Sequence, residues 1–110
     1  MYLENKVAIV TGGAKGMGRG IALKFAEEGA KVVLCDLDEA GAKSVAEEIK
    51  AIGRDALAFE MDITKGAEIE RMVAGTLREF GSIDILINCA GGVPGTHGAG
   101  ATGTINRSYQ

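Results

Sequence analysis

Residues 7–25, "VAIVTGGAKGMGRGIALKF", pass from an unbroken apolar run through a cluster of glycines into a helical pattern. The run ends at Thr11. Gly12, Gly16 and Gly18 follow at intervals of four and two, and Met17, Ile21 and Phe25 then recur every four residues, the repeat of one helix face. Each glycine answers a different steric demand. Gly12 permits a tight turn out of a strand, Gly16 leaves the backbone bare where a phosphate could approach, and Gly18 lets a helix lie close on the strand before it. The start of such a helix offers unpaired N–H groups and the positive end of its dipole, which suit an anion.

The same alternation continues outward. "KVVLC" (31–35), "DALAFEM" (55–61) and "IDILIN" (83–88) repeat the apolar run of "KVAIV" (6–10), and nearly continuous Val/Ile/Leu of this kind fits strands covered on both faces. Between them lie two more helical stripes, Ala42/Val45/Ala46/Ile49 and Ile69/Met72/Val73/Leu77/Phe80. Gly29, Gly53 and Gly81 follow the three stripes, where left-handed residues end helices. The order β-α-β-α-β-α-β predicts right-handed crossovers and a parallel sheet.

Eighteen residues past Gly18, at the end of the second strand, stands Asp36 in "VVLCDLD". A carboxylate there can accept hydrogen bonds from the ribose hydroxyls of a dinucleotide held by the glycine turn. Asp36 also reads as a helix N-cap, although Asp38 is better placed for that role. The carboxylate would repel a 2'-phosphate, so NAD is expected, with NADP the second choice because Lys15 sits in the glycine loop. Met17 and Leu37, beside Gly18 and Asp36, complete this part of the candidate site.

Composition narrows the class further. The chain has 110 residues, 46% hydrophobic and 25% charged, the makeup of a single soluble globular domain. No apolar run approaches the ~20 residues needed to span a bilayer, and the start "MYLENKVAIV" lacks a secretory pattern, so a cytoplasmic location without a membrane partner is expected. A net charge of −3 with scattered basic residues argues against nucleic acid. Cys35 and Cys89 are too few and too far apart for a zinc site or a disulfide framework, and no metal site is expected.

Together these residues resemble the short-chain dehydrogenases/reductases. The family's Thr-Gly-x-x-x-Gly-x-Gly is met by Thr11, Gly12, Gly16 and Gly18, and its acidic end of the second strand by Asp36. The aspartate that reaches the adenine ring in that family is matched by Asp62, followed by Ile63. The Asn-Asn-Ala-Gly motif is matched by Asn88, Ala90 and Gly91, with Cys89 replacing the second asparagine. The resemblance covers residues 5 to about 92. It implies a Rossmann-like, doubly wound α/β fold and an NAD(P)-dependent hydride transfer between alcohol and ketone. The tyrosine, lysine and serine that perform this chemistry in the family lie beyond the fourth strand. Tyr109 has no lysine four residues on, and His97 has no positioned partner, so no catalytic residue is assigned and the chain is expected to be inactive alone.

The expected architecture is therefore a sheet of about four strands in the order 3-2-1-4 with three helices, spanning residues 1–92, followed by a tail over 93–110 of loop or disordered composition. Six of the thirteen residues from Gly91 to Gly103 are glycine. The final "TINRSYQ" reads equally as a short strand or a frayed end. In the order 3-2-1-4, Cys35 and Cys89 lie two strand spacings apart, roughly 9 to 10 Å, beyond disulfide reach. The fourth strand becomes an edge with unpaired backbone groups. Self-association into a homo-oligomer or strand augmentation through residues 83–90, or else marginal stability, is then expected, and a non-enzymatic scaffold is the alternative to a dinucleotide-binding module.

Overall fold

The computed structural model of the chain describes residues 2–89 together with the backbone of 104–109. Eight elements follow one another: β1 (Val7–Thr11), α1 (Gly16–Glu27), β2 (Lys31–Asp36), α2 (Glu39–Ala51), β3 (Ala56–Glu60), α3 (Gly66–Phe80), β4 (Ile83–Asn88) and β5 (Thr104–Tyr109). The sheet order is β3-β2-β1-β4-β5. The first four strands are parallel, with Ile9 beside Val33 on one side and Leu86 on the other. The expected order 3-2-1-4 with three helices is what forms.

Strand composition follows from burial on both faces. In β2, Val32 and Leu34 join Val10, Ala22, Ala26, Val45 and Ile49 in a core beneath α1 and α2. Val33 and Cys35 point the other way, into a second core with Ile9, Met61, Met72 and Ile83 against α3. A strand with apolar partners above and below has no position for a polar side chain, which is why these runs do not alternate. The small residues of α1 matter too: Ala22 and Ala26 are fully buried, so the helix lies close on the sheet.

Helix ends fall where the glycines predict. Gly81 caps α3 in the left-handed conformation at φ 82°, and Gly29 and Gly53 take positive φ just past α1 and α2. Asp38 rather than Asp36 caps α2, accepting the Gly41 N–H at 3.0 Å.

One expectation is corrected. Strand β4 is not an edge: β5 pairs with it antiparallel, placing Leu86 opposite Ile105 and Ile87 opposite Thr104, with an irregularity between Ile83 and Ile85. A parallel neighbour would need a crossover of about a dozen residues or more, usually through a helix, whereas an antiparallel strand needs only a return. The glycine-rich composition after Gly91 contains no helical pattern, so the return is the accessible geometry. The backbone groups of β4 thereby gain partners, so the unpaired edge on which the expected self-association through residues 83–90 rested is not formed. The outer strands are β3 and β5.

Candidate functional site

The C-terminal ends of β1, β2 and β4 converge on one crevice, because the strand order reverses at β1, whose neighbours are β2 and β4. The glycine turn fills its floor. Gly12 and Gly13 both direct their N–H groups at the Cys35 carbonyl, at 2.7 and 3.4 Å. Ala14 N–H donates to Asp36 Oδ2 at 3.1 Å, and the other carboxylate oxygen, Oδ1, accepts the Asp38 N–H at 2.9 Å. The turn is therefore bonded along its length to the end of β2. Asp36 is half-buried, with its carboxylate between the glycine turn and the start of α2.

The glycine positions have separate steric reasons. A Cβ on Gly18 would collide with the Gly12 carbonyl, so only glycine lets α1 close on the turn. Gly12 and Gly16 adopt left-handed φ values of 69° and 59°. Around Gly16 nothing among the described residues lies within 4 Å of where a Cβ would stand. Lys15, the N-cap residue, supplies no side-chain cap to the first turn of α1. Lys15 is exposed, and Met17 and Leu37 stand out from the surface at 57% and 68% exposure.

On the other side of the crevice, Thr11 Oγ1 donates to Asn88 Oδ1 at 2.8 Å, and Cys89 N–H donates to the Thr11 carbonyl at 2.9 Å. These bonds lock the ends of β1 and β4 together. Ala90 and Gly91 lie outside the described residues, as does the expected loop or disordered tail of 93–110 except for Thr104–Tyr109, which form strand β5 instead. Asp62 follows β3, next to Met61, whose N–H donates to the Asp36 carbonyl at 3.0 Å. Its Oδ1 accepts both the hydroxyl and the N–H of Thr64, at 2.6 and 2.9 Å, and these bonds hold its pKa below the ordinary aspartate value. Ile63 is exposed beside it. An apolar cleft of about 330 Å³ opens between α3 and the sheet, lined by Ile9, Met61, Met72 and Leu86 and reaching Thr11 and Asn88.

Thus Thr11, Gly12, Lys15, Gly16, Met17, Gly18, Asp36 and Leu37 gather at the ends of β1 and β2 and the start of α1, with Thr11 and Gly18 buried, Asn88 beside Thr11 at the end of β4, and Asp62 and Ile63 just past β3. Two contributors were not expected. Gly13 packs so closely on Leu34 that a Cβ would lie 2.8 Å from its Cδ1. Ala14 supplies the amide that fixes Asp36. The Gly-Gly pair at 12–13 was the available signal for the first; a backbone donor leaves no signal for the second.

The thiols do not join this chemistry. Cys35 is buried, and burial, helped by the neighbouring Asp36 charge, pushes its pKa up to about 12. Cys89 is half-buried and also shifted upward by burial. Among the described residues no three His, Cys, Asp or Glu side chains gather as a metal site, and no helix is long and apolar enough to cross a membrane.

Comparison with known proteins bears on the same residues. The short chain dehydrogenase family matches residues 6–108. A 2,5-dichloro-2,5-cyclohexadiene-1,4-diol dehydrogenase of Sphingobium indicum is 48% identical over 89 residues, 81% of this chain and 36% of that protein. Galactitol 2-dehydrogenase of Agrobacterium fabrum is 49% identical over 90 residues, 82% and 34% of the two chains. Among solved structures, hydroxysteroid dehydrogenase from Escherichia coli superposes with a TM-score of 0.79 at 40% identity, covering 82% of this chain and 38% of that one. The 3-ketoacyl-(acyl-carrier-protein) reductase from Brucella melitensis, complexed with NADH, gives 0.71 at 50% identity, with 76% and 33% covered. The chain spans about a third of the length of the curated relatives it matches.

Proposed function

Since the chain belongs to the short-chain dehydrogenase family, we propose that residues 1–92 form the dinucleotide-binding part of an oxidoreductase and hold the ADP portion of NAD. The single observation that carries this reading is the Asp36 carboxylate, held at the end of β2 by the Ala14 and Asp38 amides beside the glycine turn. A carboxylate so fixed accepts the 2'- and 3'-hydroxyls of the adenosine ribose, and it opposes a 2'-phosphate by like charge. NAD is therefore preferred over NADP. Lys15, exposed to solvent, contributes too little attraction to reverse this.

The residues fit the dinucleotide at each point. The first turn of α1, which Lys15 does not cap and where no described residue would meet a Cβ at Gly16, receives the pyrophosphate. Met17 and Leu37 offer apolar surface near the ribose, and Asp62 with Ile63 takes the adenine ring. Asn88, oriented by Thr11, faces the nicotinamide side, with Ala90 and Gly91 following it. When bound, the nicotinamide supplies or accepts hydride in the interconversion of an alcohol and a ketone. Within residues 1–92 we assign binding and orientation, and no acid/base group. The two free thiols support a reducing, cytoplasmic setting.

The test is a thermal melt of the purified chain with increasing NAD and, separately, NADP. At a hundredfold excess over Kd, binding to the native state adds about 2.7 kcal/mol, which for a domain of this size corresponds to a shift of roughly 10–20 °C. A large shift with NAD and a small one with NADP is expected. No shift with either overturns the reading.

A further inference from the structure

The mouth of the glycine turn is bounded on one side by the first turn of α2, and the contact between them is unusually close. Gly41, the third residue of α2, donates its N–H to the Asp38 cap. A Cβ at Gly41 would lie 2.9 Å from the Cβ of Ala14 and 2.5 Å from Asp38 Oδ2. Carbon atoms in contact settle at about 3.5–4.0 Å, so that space is already used. Three bonds meet at this point: Ala14 N–H to Asp36 Oδ2, Asp38 N–H to Asp36 Oδ1, and Gly41 N–H to Asp38 Oδ1. They connect the glycine turn, the ribose carboxylate and the α2 cap in one chain.

We infer that Gly41 is a positioning residue for the dinucleotide site: the missing side chain lets α2 seat against Ala14 and so sets where Ala14 holds the Asp36 carboxylate. This rests on the dinucleotide reading above. A side chain at position 41 must displace either Ala14, which is backbone-fixed in the turn, or the Asp38 cap. Either displacement pulls on Asp36 through its two amide donors. Gly41 itself touches no ligand.

The usual consequence of Gly→Ala inside a helix is a gain in stability. Here the reverse is expected, and the contact can be tested by removing its other half. NADH binding by the full chain is titrated by fluorescence for the unsubstituted protein, Gly41→Ala, Ala14→Gly and the double variant. Gly41→Ala is expected to weaken NADH binding by roughly five-fold or more, with a lowered melting temperature. Adding Ala14→Gly to it is expected to restore most of the affinity that Ala14→Gly shows alone, the non-additivity of two groups in contact. An unchanged affinity in Gly41→Ala, or a double variant whose losses simply add, overturns the role of Gly41. Absence of NADH binding by the unsubstituted chain instead overturns the dinucleotide reading on which it rests.

Discussion

The Thr11 hydroxyl donates to the side-chain oxygen of Asn88 at 2.8 Å, joining two residues 77 positions apart at the ends of adjacent strands. Each is the last residue of its strand, and their backbones are also paired in register. The bond therefore fixes the width of the crevice where β1 and β4 meet. Thr11→Val keeps the shape and removes the donor. A loss of about 1 kcal/mol is expected, lowering the melting temperature by roughly 4–8 °C. Denaturant unfolding with an unchanged m-value would check it.

At Asp36 the prediction concerns discrimination. Asp36→Asn keeps the volume and removes the charge that opposes a 2'-phosphate. The ratio of NAD to NADP affinity is expected to fall by about ten-fold, a change of about 1.4 kcal/mol. On the proposed reading the carboxylate accepts from both ribose hydroxyls, so affinity for NAD itself is expected to fall as well. Paired titrations with the two dinucleotides measure the ratio, and an unchanged ratio would place the 2' position elsewhere.

Gly20 offers a contrast to the packed glycines. It lies inside α1, and a Cβ there meets nothing within 4 Å among the described residues. Gly20→Ala should stabilise the chain by roughly 0.5–1 kcal/mol through the reduced freedom of the unfolded backbone. Thermal melts would show the melting temperature rising by several degrees.

Asp62 gives a pH-dependent signature. Its pKa is lowered first by the Thr64 hydroxyl and then by the Thr64 N–H. A carboxylate depressed in the folded state contributes stability above its unfolded pKa of about 3.9, and the contribution is lost as pH falls through the depressed folded value. Thr64→Ala removes the larger cause. Its destabilisation should be present at pH 6 and shrink as the pH is taken below about 4. Denaturant melts across that range test the sign, and a gap that widens in acid would contradict it.

Much of this was readable from the residues because the deciding features are local. The glycine spacing from Gly12 to Gly18, the apolar runs and the stripe around Met72 each specify a turn, a strand or a helix from neighbours in sequence, and their order determines the parallel sheet. Asp36 and Asn88 could be placed because strand ends follow from the runs. The pairing of β5 could not, since Thr104–Tyr109 has no alternation that specifies a partner, and only the sheet shows β4 accepting it. The closeness of Gly41 to Ala14 was equally hidden, because 27 residues separate them and a glycine in a helix carries no mark of what lies opposite.

The place of β1 in the middle of the sheet governs how the chain can be assembled. Val7–Thr11 leaves the ribosome ahead of the other strands of this sheet, yet one of its two neighbours, Ile83–Asn88, is synthesised more than 70 residues later. Until then β1 and β2 can pair, but Ile9 has no Leu86 beside it and the hairpin-free ladder stays open on that side. Long-range parallel pairing of this kind slows folding and leaves an apolar edge exposed in the meantime. The β1–β4 pairing is thus the last of the parallel pairings whose strands become available, and the proposed dinucleotide site cannot be complete in a nascent chain until its fourth strand arrives.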